Sequence, residues 1–204
     1  MQKLIVALIV AIAASGCSIT LDAQSTPPEH LTRRVIDSDS REPVAGAYVI
    51  FTWWETRADL SHSSSRCARN EFRLTDETGS VKLPTWRGTY PIVTDVYKAG
   101  MVRVRSKLEK EGMELLQKSR APVGERYQEM RMTRGRLGCE GGSGSLLPVY
   151  ESLLHEALQL KTPSTDEKLF DGFEIARDSS QYGDDEARRM YIERLKARSR
   201  GIQQ

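Results

Sequence analysis

The sequence predicts a mainly β protein, a β-sandwich followed by an α-helical C-terminal extension. Two observations carry this. Between residues 31 and 106, short apolar-alternating runs recur with turn-forming stretches between them. After glycine-rich residues 138–145 the apolar period changes from that of strands to that of helices.

The amino terminus comes first. Residues 4–14, "LIVALIVAIAA", are wholly apolar and follow Lys3. A permanent membrane helix needs about 20 apolar residues, whereas the apolar core of an export signal needs about 7–15. Ala14, Ser15 and Gly16 then lead into Cys17. This junction resembles the bacterial lipoprotein signal, in which small residues precede a cysteine; Ala14 stands where leucine is usual. The resemblance implies residues 1–16 as a removed signal, a diacylglyceryl group on the Cys17 thiol and an acylated Cys17 amine. It also implies the outer membrane, because Ser18 replaces the aspartate of inner-membrane retention. More than one acyl chain is needed for stable anchoring. The competing reading is an ordinary secreted protein cut nearby.

Composition sets broad limits. The chain has 204 residues, with 30 Lys plus Arg against 28 Asp plus Glu. The signal carries only Lys3, so the mature protein is nearly neutral. A nucleic-acid partner is a poor fit to that balance. Cys67 and Cys139 are the thiols left after Cys17 is committed to lipid. In an oxidising compartment they are expected to form a disulfide. Two free thiols, or half of a metal site, are the alternatives.

Residues 17–30 are polar, contain Pro27-Pro28 and read as a tether. A β-sandwich is expected over 31–137. In "AYVIFTWWET", Val49, Phe51 and Trp53 share one face and Tyr48, Ile50 and Trp54 the other. Both faces are apolar, as in a strand covered on both sides. Residues 55–70 are serine-rich and polar and are expected to form a long loop. "EFRLT", "SVKLP", "TYPIVTDVY" and "VRVRSKL" are strand candidates. Residues 109–125 are ambiguous between a helical turn and a loop. "RYQEMRMTR" alternates, with Met130 and Met132 on one face, and is expected to close the sandwich. Residues 138–145 read as a linker and 146–204 as helices. Val149, Leu153, Leu154, Ala157 and Leu158 form one helical stripe, and 184–200 runs from acids to bases, matching the helix dipole.

Two stretches resemble carboxypeptidase-regulatory-like domains. In "VIDSDSREPVAGAYV", residues 35–49, the matching positions are Asp37, Pro43, Val44, Gly46, Ala47 and Val49. In "LTDETGSVKLP", residues 74–84, they are Thr75, Asp76 and Gly79. The resemblance implies a transthyretin-like sandwich and an accessory role rather than catalysis. Fold-level likeness carries no activity. Asp37 and Asp76 are read as turn formers, since calcium needs six or more oxygens from several places.

No catalytic, cofactor or metal residue is assigned. "HEAL" at 155–158 lacks the second histidine of a zinc-protease helix. His155 with Glu151 or Glu156 has base-pair spacing and is read as a solvated helix edge. Trp53, Trp54 and Trp86 with Tyr48 and Tyr90 are candidates for a carbohydrate-stacking platform; Trp53 is read mainly as core, while Trp54 and Trp86 are the candidates for a ligand-stacking surface, the alternative being that they pack beneath the C-terminal helices. Arg103, Arg105, Arg131, Arg134 and Arg136 are read as a solvated basic face, with contact to acidic surface polymers as the sharper alternative. The expected function is that of a periplasm-facing lipoprotein, a non-catalytic binding or envelope-assembly module. The alternatives are a carbohydrate- or peptidoglycan-binding accessory and an enzyme with an unrecognised site. The expected partners are the membrane, through the lipid anchor, and an envelope protein or glycan. Radiolabelled palmitate should enter the wild-type protein and be lost in Cys17→Ala; equal labelling of both would overturn the lipidation reading.

Overall fold

A computed structural model describes residues 19–21, 31–58, 63–139, 146–161 and 168–201. Cys17, its signal, and linker residues 140–145 lie outside them. The strands are β1 (Ile19–Leu21), β2 (Thr32–Asp37), β3 (Tyr48–Ala58), β4 (Ser63–Leu74), β5 (Ser80–Lys82), β6 (Ile92–Tyr97), β7 (Met101–Val104) and β8 (Met113–Lys118). The α-helices are α1 (Val123–Leu137), α2 (Leu147–Gln159), α3 (Lys168–Tyr182) and α4 (Asp184–Gly201).

The strands form two four-stranded sheets. In the first, β3 pairs antiparallel with β4 on one side, and with β6 and β1 on the other. In the second the order is β5-β2-β8-β7, with β2 and β8 parallel. Side-chain alternation along β3 explains how the layers stack. Val49, Phe51 and Trp53 bury against Val35, Val81, Val96 and Leu116, so the two sheets share one core. Ile50 points the other way, with Tyr97, into a second core built with Tyr127, Met130, Leu153, Ala157 and Phe173 of the helices. The first sheet is thus a middle layer, with the second sheet on one face and α1–α3 on the other.

This corrects the expected fold class. The chain is mixed α/β, 42% helix against 33% strand, and not mainly β. The helices are a full layer that buries an apolar sheet face. One misreading accounts for much of the difference. Residues 126–133 fold as helix, not as a closing strand. Met130 is 1% exposed and Met132 61%, which is a helical face and not a strand face. Tyr127 and Met130, three apart, are the buried stripe. The strand after β7 is instead β8, preceded by a 3-10 turn at Lys107–Glu111 that Ser106 and Glu109 cap reciprocally. The expected serine-rich loop is also strand over Glu55–Ala58 and Ser63–Asn70. Its pairing is a backbone matter, so polar side chains at exposed positions do not prevent it. Ile19–Leu21, within the expected tether, pairs with Thr56–Ala58.

The two motif stretches make turns. Asp37 accepts from the Asp39 and Ser40 N–H groups. Asp76 accepts from the Thr78 and Ser80 N–H groups and the Thr78 hydroxyl. These bonds hold both carboxyls below the usual carboxylate range, led by the Ser40 N–H at Asp37 and by the Thr78 hydroxyl at Asp76. Gly79 has φ +71°, and a Cβ there would sit 2.4 Å from the Val35 carbonyl oxygen. Only glycine fits that site.

Polar ties fasten the helical layer to the middle sheet. Asn70 Nδ2 donates to the Leu137 carbonyl at 2.7 Å, satisfying an end group of α1, while Thr52 donates to Asn70 Oδ1. The Cys67–Cys139 disulfide joins the same two elements. At the opposite edge, buried Glu156 of α2 accepts from Tyr97 Oη of β6 (2.8 Å), Arg126 Nε of α1 (2.7 Å) and the Gly100 N–H of the β6–β7 turn (3.1 Å). Burial, and then the Glu156 charge, push the Tyr97 phenol far above its ordinary range, so it serves as a permanent donor.

Two predictions follow from these contacts. Gly79→Ala should lower unfolding free energy in urea by at least about 2 kcal/mol, combining left-handed strain with a backbone clash. An unchanged midpoint would contradict the turn geometry. Arg126→Met alone should cost about 3–5 kcal/mol, because it strands the buried Glu156 carboxylate, and Glu156→Leu alone should cost less, because Arg126 keeps Glu129 at 3.0 Å. The double variant should be less destabilised than the two losses added, and simple additivity would show that the pair is not coupled.

Candidate functional site

Two concave features lie on the helical side of the middle sheet. The first is a cleft of about 200 Å³ between α1 and the β6–β7 hairpin. Its walls include Met101, Met130 and Met132 beside Asp95, Arg103 and Arg136. The topology explains the place. β6 and β7 each end a sheet, so the open side of the sandwich falls between them, and α1 passes over it.

Side chains close the backbone groups exposed at that edge. Arg103 Nη1 donates to the Thr94 carbonyl at 3.0 Å, and the Val96 N–H donates to Asp95 Oδ1 at 2.9 Å. An added strand would have to displace both. The charges are also paired. Arg103 meets buried Glu114 at 2.6 Å, and Arg136 meets buried Asp95 at 3.1 Å. Burial holds the Glu114 carboxyl above the usual carboxylate range, and Arg103 offsets only part of that rise. What the cleft offers a ligand is the flexible thioether surface of exposed Met132 and half-buried Met101, beside Glu129 and Arg136, with Met130 buried in the core.

The second feature is an open recess of about 490 Å³ lined by Trp54, Ser65, Arg66, Cys67, Gly138 and Cys139. Cys67 stands opposite Trp54 in the β3–β4 register, and its bond to Cys139 brings the end of α1 beside the indole. Trp54 is 37% exposed. The pairing of Cys67 with Cys139 is the one expected from the sequence, at a sequence separation of 72. Closing a loop of that length is worth roughly 4 kcal/mol in the chain-entropy model.

The two tryptophans grouped in the sequence do not share a surface. Trp86 packs edge-on against Trp53, with ring centroids 6.2 Å apart, on the inter-sheet side, and Arg87 covers its face at 4.5 Å. Trp54 lies on the helical side with the disulfide. A joint stacking platform is therefore not formed, and the recess keeps one ring.

The histidine pairing also comes apart. His155 is exposed and its Nε2 lies 2.9 Å from Gln159 Nε2. Glu156 is turned inward to Arg126 and Tyr97. The basic positions are less of a face than expected. Arg103 is buried in an ion pair, Arg136 is held by Asp95, and Arg134 lies over the Phe173 ring against Gly172.

Sequence reading missed Glu114, Arg126 and Glu156 as buried ionic residues. Glu156 had a usable signal, since it sits beside Ala157 and three residues after Leu153, on the edge of the apolar stripe of α2. Arg126 likewise adjoins Tyr127. Among the described residues, no group of three or more His, Cys, Asp or Glu side chains is placed to hold a metal ion. No family model, curated protein or solved structure matches this chain.

Proposed function

We propose that the chain is a lipid-anchored outer-membrane lipoprotein facing the periplasm, and that its folded part is a non-catalytic binding or envelope-assembly module. The observation that carries the reading is the amino-terminal sequence: an apolar run of export-signal length ending in Ala14-Ser15-Gly16-Cys17. The Cys67–Cys139 disulfide supports it, because it is compatible with an extracytoplasmic compartment. The methionine-walled cleft beside α1 supports a binding role, since such surfaces repack around a partner's side chains. Met132, 61% exposed, offers its side chain to that partner.

A second reading rests on Trp54. A half-exposed indole beside Arg66 is an arrangement that stacks on a sugar face while a cation contacts its polar rim. On that reading the protein is a carbohydrate- or peptidoglycan-binding accessory.

The two readings separate cleanly. A photo-crosslinking residue at Met132 in intact cells should capture one envelope protein, and Trp54→Ala should leave that adduct unchanged. If instead no protein adduct forms and soluble muropeptides quench tryptophan emission in the wild type but not in Trp54→Ala, the glycan reading replaces the first.

A further inference from the structure

The first sheet has an edge that the cleft does not touch. Among the described residues, β4 pairs with β3 alone, so no second strand lies along the outer side of this 12-residue strand. A bulge opposite Trp53/Trp54 interrupts it, and the straight run is Arg69–Leu74. Along one face of that run the charges alternate as Arg69, Glu71, Arg73. Glu71 bridges its neighbours, with Arg69 at 3.2 Å and Arg73 at 3.3 Å. On the other face Phe72 is half-buried and Leu74 is 51% exposed.

We infer that this edge is an interface between two copies of the chain, paired antiparallel through β4. The charge pattern selects the partner. A two-fold axis at Asn70 sets Glu71 opposite the other copy's Arg69. An axis at Phe72 sets Glu71 opposite the other copy's Arg73 and brings the two Phe72 rings together. In either register opposite charges face each other, which favours cross-strand pairing. An axis at Glu71 would set like charges opposite and is disfavoured. A foreign strand without this alternation meets two arginines flanking one glutamate, the usual protection of an edge. The same three residues thus repel unrelated strands and accept a copy of themselves. The pairing joins the two middle sheets into one continuous sheet, with both helical layers on the same side.

The test is native mass spectrometry of the full chain released from detergent, with charge variants that can be mixed. Wild type should give a dimer. Glu71→Arg makes the row all positive and should weaken dimerisation by about tenfold or more, since symmetry counts each lost pair twice. Arg69→Glu/Arg73→Glu makes it all negative and should do the same. Mixing these two variants should restore a dimer, now of one copy of each, and the triple swap Arg69→Glu/Glu71→Arg/Arg73→Glu should self-associate again. Because each broken variant is rescued by the other, misfolding cannot imitate the expected result. A monomeric wild type, a dimer indifferent to Glu71→Arg, or a mixture without heterodimer would each overturn the proposal.

Discussion

β3 is apolar on both faces, and most of the architecture answers that constraint. A strand with Val49, Phe51 and Trp53 on one side and Ile50 on the other cannot face water on either. The second sheet covers the first set and the helices cover the second. Each cover needs its own means of attachment, because two layers held only by non-directional burial would slide. The polar ties supply that. The disulfide and Asn70 fix α1 to β4 at one edge, and Glu156 fixes α1 and α2 to β6 at the other. The helical layer is therefore pinned along both margins of the sheet it covers.

How much of this was legible in the sequence depends on where the information resides. The two apolar faces of β3, the turns at Asp37 and Asp76, and the identity of the disulfide partners are local or combinatorial facts, and they could be read. The helical stripe of α2 was equally plain, because Val149, Leu153, Leu154 and Ala157 recur at a fixed period. The class of the fold was not readable in the same way. Residues 126–133 carry two methionines two apart, which imitates strand alternation; the helix is fixed by what Tyr127 and Met130 bury against, from residues far along the chain. The Ser63–Asn70 strand failed for the converse reason. Its side chains carry almost no apolar signal, and its place is set by the backbone of β3.

The candidate site was less legible than the fold. Trp54 and Trp86 are both tryptophans near a strand, and only the bulge at Trp53/Trp54 and the packing of Trp86 on Trp53 decide which side each joins. Ionic residues pose the same difficulty. Arg103, Glu114, Arg126 and Glu156 read as ordinary surface charge one at a time. Their burial is bearable only because each finds its partner, and partnership between residues 11 and 30 positions apart is invisible along the chain.

The disulfide links the end of the helical layer to the edge of the middle sheet. Before it closes, α1 and β4 are joined only through the polar ties and the helical core; once closed, the end of α1 cannot leave the sheet edge that carries Trp54. In a reducing compartment the end of α1 would keep the Asn70 bond to the Leu137 carbonyl and lose the covalent restraint on Cys139. If Cys17 is lipidated as proposed, oxidation of the two remaining thiols has a single outcome, and that outcome ties the end of α1 to the edge of the middle sheet.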